Sequence, residues 1–234
     1  MNQAVSVVIL PGMDGTGLEL ADFIAALGPE LEAQLVTYPN DRPMNYAGHE
    51  MIARASLPED RPFVLLGESF SGPIAISIAA SAPPGLMGVV LCCSFARNPR
   101  PALSWLRPLV RFVPTRMPAA VPAWFLLGPF STCRLHSALA AALAKVSPRT
   151  LRARIAAVMD IDVTEHLARV RMPLLYLRAT NDRVVPSRVS VEVAHSHPAA
   201  RVIELDGPHL LMQTAPDIVA RHLKSFVSEL AVEP

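Results

Sequence analysis

Short apolar runs alternate with amphipathic segments along most of the 234-residue chain. The apolar runs predict strands at 4–10, 34–38, 63–66, 88–94, 173–179 and 200–205. Apolar residues at helical spacing predict helices at 18–27, 46–56, from Pro73 onward, and at 216–230. Strands that alternate with helices indicate an α/β fold with about six parallel strands and helices on both faces of the sheet.

Residues 97–170 interrupt this alternation. Seven prolines between positions 99 and 129 divide the first half into short pieces, and 135–146 and 150–159 then have helical patterns. The tryptophans and phenylalanines of this segment argue against a disordered linker. We expect one domain with a core of residues 1–96 and 171–234. Residues 97–170 would form a helical cap over the carboxyl edge of the sheet, inserted before the penultimate strand.

The third predicted strand runs directly into Gly67-Glu68-Ser69-Phe70-Ser71-Gly72, which leaves almost no room to turn before the next helix. A serine at such a sharp bend has its hydroxyl exposed above the N-terminus of the helix, where the helix dipole favours an oxyanion. Ser71 stands where the usual Gly-x-Ser-x-Gly pattern has glycine, and it is small enough for strand and helix to approach. Ser69 is therefore a candidate nucleophile, with an ordinary β-turn-α connection as the alternative.

A serine nucleophile needs a base, and the base needs an acid that orients it. His209 follows the sixth predicted strand and Asp182 follows the fifth. Both loops leave the sheet at the edge where Ser69 lies, so we expect these three side chains to converge. A turn-initiating role is the alternative for Asp182. Poorer candidates for the acid are Asp206, Asp160 and Asp162.

Three glycines between positions 12 and 17 follow the first predicted strand. They form a loop whose backbone can approach a ligand closely, but their spacing does not match a dinucleotide- or phosphate-binding motif. We expect the backbone N–H groups of Met13 and Phe70 to form an oxyanion hole. Asp14 would repel an oxyanion, so we expect its side chain to turn away and cap the following helix.

The chain is 51% apolar but contains no run long enough for a membrane helix, and its N-terminus lacks the pattern of a secretory signal. Its cysteines are odd in number, and two of them are adjacent in a predicted strand: Cys92, Cys93 and Cys133. This arrangement is typical of reduced thiols rather than a disulfide framework or a metal site. We therefore expect a cytoplasmic protein without a metal, a transmembrane segment or a nucleic-acid partner.

Charge is unevenly distributed. No Asp or Glu occurs from Ser69 to Met159, where ten basic residues lie, and the rest of the chain carries the other eleven basic residues and all twenty acids. A positive entrance to the site would suit a substrate carried on an acyl carrier protein, on coenzyme A or at an anionic membrane surface. A merely solubilising role is the alternative. The candidate carrier contacts are Arg97, Arg100, Arg107 and Arg111.

The apolar side chains of the cap are candidates for an acyl pocket, although several could only pack the cap on the core. An acyl chain gains binding energy from each methylene that it buries. The predicted lining comprises Trp105, Phe112, Trp124, Phe125, Leu126 and Leu127.

Taken together, these motifs resemble the α/β-hydrolase superfamily. Pro11-Gly12-Met13 matches the oxyanion loop, residues 67–72 match the nucleophile turn, and Asp182 and His209 follow in the expected order. The resemblance implies a serine esterase that works through an acyl-enzyme without a cofactor. Two features depart from the family pattern: the common N-terminal antiparallel hairpin is missing, and Pro11 replaces a frequent histidine. Among members, the chain is most similar to esterases that demethylate pimeloyl-acyl carrier protein methyl ester in biotin synthesis.

Other activities fit the same residues. An acyltransferase or thioesterase would use the same acyl-enzyme with a different acceptor or leaving group. A ligand-binding receptor could retain the three residues without turnover. Dehalogenation is disfavoured because it needs a carboxylate at the position of Ser69.

Overall fold

The computed structural model describes residues 5–115 and 117–231. Its six strands pair only in parallel, in the spatial order β2-β1-β3-β4-β5-β6. The strands are β1 (Ser6–Leu10), β2 (Glu32–Leu35), β3 (Phe63–Glu68), β4 (Leu86–Cys92), β5 (Leu174–Ala179) and β6 (Arg201–Leu205). The predicted α/β fold with six parallel strands is confirmed.

Ten α-helices surround the sheet in the described part of the chain. They are α1 (Ala21–Leu27), α2 (Tyr46–Ala55), α3 (Gly72–Ala79), α4 (Ala120–Leu126), α5 (Cys133–Ala144), α6 (Pro148–Asp160), α7 (Thr164–Leu167), α8 (Arg188–Ser196), α9 (Leu211–Thr214) and α10 (Pro216–Leu230). Short 3₁₀ segments include Leu18–Leu20, Ser69–Ser71 and Pro101–Phe112. None of the described helices is both long and apolar enough to cross a membrane.

Both faces of the sheet are buried, which explains why its strands are apolar at consecutive positions rather than at alternate ones. In β1, Val7 and Ile9 pack in the core that contains α1 and α10 residues, whereas Val8 and Leu10 pack in the core that contains α3 residues. The whole strand is inaccessible to solvent. Loops that leave its carboxyl end are therefore held on a rigid support.

The second strand lies earlier than predicted. It spans Glu32–Leu35 rather than 34–38, and the last hydrogen bond to β1 is from the Val36 N–H to the Ile9 carbonyl oxygen, at 2.9 Å. The Tyr38 N–H donates instead to the carbonyl oxygen of Gly15, at 2.8 Å. Tyr38 is buried beneath the glycine loop, so its apolar character reflects burial rather than strand structure.

The predicted cap contains the 3₁₀ segment Pro101–Phe112 and helices α4 to α7. An isolated β-bridge joins Arg97 to Asp162, near the two ends of the insertion. Helix α7 packs against α3 and α8, and Leu167 belongs to the sheet core. Helix α7 therefore lies with the core, although it falls within the predicted range of 97–170.

Candidate active site

Ser69 occupies a strained position at the carboxyl end of β3. Its φ of 44° lies in the left-handed region, which residues other than glycine adopt only when the surroundings impose it. The Ser94 hydroxyl donates to the Ser69 carbonyl oxygen at 2.6 Å, and the Tyr176 hydroxyl donates to the Ser94 carbonyl oxygen at 2.6 Å. The buried Ser94 hydroxyl thus stabilises the turn directly, and the Tyr176 hydroxyl of β5 holds Ser94 in place.

Close packing explains the glycines on either side of Ser69. A Cβ atom on Gly72 would lie 1.7 Å from the Ser94 Oγ, and one on Gly67 would lie 2.8 Å from the Ser71 carbonyl oxygen. Neither position can hold a side chain without displacement of the turn.

The three side chains predicted to converge form one hydrogen-bonded chain. The Ser69 Oγ lies 2.8 Å from the His209 Nε2, and the His209 Nδ1 lies 2.8 Å from the Asp182 Oδ2. The side chains of His209 and Asp182 are 3% and 6% exposed, so their interaction is shielded from water. The Asp182 Oδ1 accepts the N–H groups of Val184 and Val185, both at 2.8 Å. Asp182 therefore begins a turn and orients His209 at the same time.

The other candidate acids have different partners. Asp206 accepts a hydrogen bond from Thr180 at 3.0 Å. Asp160 forms an ion pair with Arg107, and Asp162 accepts the N–H of Thr164.

The predicted oxyanion loop is hydrogen-bonded to the turn that contains Ser69. The Gly12 N–H donates to the Glu68 Oε2 at 3.0 Å, and the Ser71 hydroxyl donates to the Pro11 carbonyl oxygen. Ser71 thus bonds to the oxyanion loop from a position where the usual pattern has glycine. The Met13 N–H has no acceptor within the described residues, which leaves it available to a ligand.

Asp14 does not cap the following helix, contrary to our expectation. Its Oδ1 accepts the Thr16 N–H at 2.8 Å, and it also accepts the Thr16 hydroxyl. The helical segment begins after Gly17, one residue beyond this turn. The carboxylate therefore stabilises the glycine loop itself.

Phe70, the other predicted oxyanion donor, lies in the first helical turn, directly after Ser69. The first N–H groups of a helix lack acceptors within the helix. The Phe70 ring is buried and stacks on Tyr46 with 4.7 Å between centroids, and the Tyr46 hydroxyl donates to the Phe70 carbonyl oxygen at 3.1 Å. These contacts fix the peptide that follows Ser69.

Arg154 reaches the oxyanion loop from the predicted cap, a role that the motif analysis missed. Its Nη1 donates to the carbonyl oxygens of Met13 and Asp14, both at 2.8 Å, and its Nη2 donates to that of Pro39 at 2.9 Å. The side chain is fully buried, and burial lowers its pKa. Arg154 lies four residues after the buried Thr150, on the inner face of α6, but this spacing alone does not identify its distant partner in the sequence.

Glu68 joins the predicted oxyanion loop to helix α9, which begins two residues after His209. Besides the Gly12 N–H, it accepts the Gln213 Nε2 at 2.8 Å. Burial raises the pKa of Glu68 to about 7. Burial, together with the nearby Asp14 and Glu68 carboxylates, also raises the pKa of Glu19 to about 8. The Gln213 Oε1 is buried without a partner in the described structure, so this pair can also accommodate a protonated Glu68.

An apolar cavity of about 650 Å³ lies between the predicted cap and the core and reaches Met13. Aliphatic side chains from the Pro101–Phe112 segment and from α6 dominate its wall. They include Leu103, Leu106, Leu109, Val110, Ile155, Val158 and Met159. A smaller cavity, of about 440 Å³, lies beside α7 and α8. Ser69, His209 and Asp182 line neither cavity, and the large one approaches them through Met13 and through Arg183 and Val184, which follow Asp182.

The predicted pocket lining requires correction, because only Phe125 of the six residues lines this cavity. Leu126 and Leu127 pack between the predicted cap and the core, with Leu139 of the cap and Leu210 of the core. The other three are exposed to solvent: Trp105, Phe112 and Trp124. Leu103, Leu106 and Leu109 recur every three residues, as one face of a 3₁₀ helix requires, and this spacing was the missed signal.

The four predicted carrier contacts have partners within the chain. Arg97 pairs with Glu192 at 3.1 Å, and Arg107 pairs with Asp160 at 2.8 Å. Arg100 donates to the carbonyl oxygens of Val184 and Arg183. The Arg111 guanidinium lies 4.6 Å from the centre of the Phe112 ring. Acids outside the acid-free segment thus offset part of the positive charge that the sequence suggests.

Comparison with known proteins identifies the family. The model of the alpha/beta hydrolase family matches residues 4–222, and the chain belongs to this family. This assignment confirms the predicted resemblance to α/β-hydrolases.

Solved structures share this fold at low sequence identity. The enol-lactonase from Burkholderia xenovorans has a TM-score of 0.81 and 17% identity, over 97% of this chain and 92% of that one. A thermophilic esterase from Thermogutta terrifontis has a TM-score of 0.80 and 17% identity, over 97% and 90% of the two chains.

Matches to characterised sequences are partial. Phytyl ester synthase 1 of Arabidopsis thaliana is 30% identical over 131 residues, which cover 52% of this chain and 18% of that protein. A protein named as the carbamate hydrolase RutD, from Azorhizobium caulinodans, is 35% identical over 83 residues, or 35% and 31% of the two chains. The matched region is less than a third of either relative.

Proposed function

We propose that this protein is a serine carboxylesterase that hydrolyses esters of an apolar acyl group through an acyl-enzyme. The observation that carries the proposal is the continuous hydrogen-bonded chain from Ser69 through His209 to Asp182. The apolar cavity that reaches Met13 supports the acyl part of the proposal.

In the proposed reaction, the Ser69 Oγ attacks the ester carbonyl carbon while the His209 Nε2 removes its proton. The Asp182 carboxylate accepts the His209 Nδ1–H, which orients the ring and stabilises its protonated form. His209 then returns the proton to the departing alcohol, which leaves an acyl group on Ser69. A water molecule, deprotonated by the same ring, then attacks the acyl carbon. The bond to the Ser69 Oγ breaks, the ring returns the proton to that oxygen, and the acid is released.

The negative oxygen of each tetrahedral intermediate would accept the backbone N–H groups of Met13 and Phe70. Removing one such donor typically costs about 10²- to 10³-fold in kcat. Arg154 and Glu68 hold the loop that carries Met13, through its carbonyl oxygen and through the N–H of Gly12. These contacts would preorganise the site before substrate binds.

Acyl transfer to an alcohol is the second candidate function. The name of the phytyl ester synthase supports it, because the same acyl-enzyme could react with an alcohol in place of water. A thioester substrate would require no further residue.

A carrier-linked ester, such as pimeloyl-acyl carrier protein methyl ester, is a finer form of the proposal. The acid-free segment from Ser69 to Met159 supports it. Of the four predicted contacts, Arg111 is best placed, because its guanidinium stacks on the Phe112 ring instead of pairing with a carboxylate. The ion pairs of Arg97 and Arg107 would have to exchange partners for those residues to contribute.

The test is hydrolysis of p-nitrophenyl esters from acetate to octanoate. Each methylene buried contributes about 0.8 kcal/mol, so kcat/KM should rise about fourfold per methylene until the cavity is filled. Ser69→Ala should abolish turnover of every ester. Absence of turnover by the unaltered enzyme would refute the proposal, and a flat chain-length profile would refute the acyl pocket. Ester formation with added alcohol would favour the transferase alternative.

A further inference from the structure

The predicted cap exposes an unusual concentration of apolar side chains. Among the described residues, thirteen large apolar side chains are exposed, and eight of them lie between positions 103 and 125. Trp105 is 72% exposed and Phe112 is 66% exposed. Such a concentration on a soluble fold typically marks an interaction surface. We call the exposed apolar side chains of residues 103–125 the apolar face.

The apolar face shares three residues with the wall of the large cavity. Leu103, Leu109 and Phe125 are exposed and also line that cavity. An apolar molecule that lies against this face would therefore reach the cavity wall without first passing through water.

Cations lie beside the exposed aromatic rings. The Arg111 guanidinium is 4.6 Å from the centre of the Phe112 ring, and the Arg183 guanidinium is 4.4 Å from that of Trp124. No acid occurs in the sequence from Ser69 to Met159. Aromatic and aliphatic side chains that insert among acyl chains, flanked by arginines at headgroup level, are the pattern of interfacial lipid binding.

We propose that the apolar face docks this enzyme on an anionic lipid surface, with the cavity mouth turned toward the acyl chains. An acidic carrier protein fits less well, because a polar, negatively charged partner would leave Trp105 and Phe112 without apolar contacts. Docking itself is independent of the proposed esterase activity. Only delivery of a lipid ester to Ser69 rests on that activity.

The experiment is co-sedimentation of the full chain with vesicles of phosphatidylcholine alone or mixed equally with phosphatidylglycerol. The unaltered enzyme should bind the anionic vesicles. Trp105→Ser combined with Phe112→Ser should weaken this binding at least tenfold, since two apolar side chains no longer insert. Arg111→Gln should weaken it about fivefold, and only for the anionic vesicles.

A matched control uses equally exposed apolar residues outside the apolar face. Met51 is 72% exposed on α2 and Val191 is 66% exposed on α8. Met51→Ser combined with Val191→Ser should bind vesicles as the unaltered enzyme does. Hydrolysis of p-nitrophenyl acetate without vesicles should be the same in the unaltered enzyme and in both serine pairs, which also verifies that these variants are folded. Far-ultraviolet circular dichroism should verify that Arg111→Gln is folded.

Several outcomes would overturn the docking proposal. The first is that the unaltered enzyme does not bind vesicles, and the second is that the control pair loses as much vesicle binding as the Trp105 and Phe112 pair. The third is that an acidic acyl carrier protein binds this face while vesicles do not. Concentration-dependent dimerisation that Trp105→Ser plus Phe112→Ser abolishes, again without vesicle binding, would assign the face to a second copy of the chain. Vesicle binding by a protein that turns over no ester would refute the proposed function and leave docking intact.

Discussion

The Arg154 Nη1 lies 2.8 Å from the carbonyl oxygen of Met13. This hydrogen bond links helix α6, in the predicted cap, to the backbone of the proposed oxyanion hole. The donor is a fully buried guanidinium whose other bonds also go to loop carbonyl oxygens. We infer that Arg154 is a positioning residue, which acts through the Met13 peptide and not on the substrate.

The substitution Arg154→Met should lower kcat about 10- to 100-fold and leave KM nearly unchanged. The reason is that a displaced Met13 N–H loses its fit to the transition state more than to the ester. Steady-state kinetics with p-nitrophenyl butyrate measure both constants. Arg154→Lys should recover part of kcat, because one donor returns.

The matched control for Arg154→Met is Arg149→Met, because Arg149 is exposed on the same helix. It should leave kcat unchanged. A rise in KM alone for Arg154→Met, or equal effects at the two positions, would contradict a positioning role.

Gly72→Ala should destabilise the enzyme by about 3 kcal/mol, since the new Cβ would meet the Ser94 Oγ at 1.7 Å. Adding Ser94→Gly removes the obstructing side chain and should recover at least half of the loss, despite the lost hydrogen bond to Ser69. Chemical denaturation of the two single variants and the double variant gives the coupling energy. Simple additivity of the two changes would contradict the packing argument.

Glu68→Gln should alter how stability depends on pH. Because burial raises the pKa of Glu68 to about 7 from an ordinary 4.5, its contribution is fully present below pH 4.5 and is lost as pH rises through 7. Relative to the unaltered enzyme, the variant should gain up to about 3 kcal/mol in unfolding free energy between pH 4 and pH 8. Urea denaturation across this range measures the difference. A difference that does not vary with pH would contradict the assignment.

Leu106→Trp should shorten the acyl chain that the enzyme accepts. Leu106 lines the large cavity, and a larger ring there would exclude distal methylenes. We expect kcat/KM for the octanoyl ester to fall at least tenfold while that for the acetyl ester changes little. Ala102→Trp, at an exposed position of the same segment, serves as the control. Equal losses for both esters would argue against this cavity as the acyl site.

The sequence predicts most of the fold because its strands are buried on both faces. Val7 to Leu10 could be recognised as a strand without knowledge of its partners, since a short, continuous apolar run rich in β-branched residues is typical of a strand buried on both faces. Ser69, Asp182 and His209 could be placed together because parallel strands end at one edge. The predicted end of β2 was wrong because it included Tyr38. Burial beneath a loop produces the same apolar signal as burial in a sheet.

Contacts across the predicted cap could not be read from local patterns. The large aromatic residues Trp105 and Phe112 suggested a buried pocket, yet they are exposed, and smaller leucines form the wall. Arg154 contacts Met13, 141 residues away in the sequence. Glu68, at the end of β3, similarly depends on Gln213 in helix α9. Long-range pairs of this kind arise from the packing of helices on the sheet, which periodicity does not specify.

The central claim is that Ser69 is the nucleophile, activated by His209. Mass-spectrometric mapping of the adduct formed with a fluorophosphonate probe tests it most directly. We predict one adduct, on Ser69 and not on the buried Ser71, absent in Ser69→Ala and formed about 10⁴-fold more slowly or not at all in His209→Ala. Labelling that persists in Ser69→Ala, or an adduct on Ser71, would contradict the account.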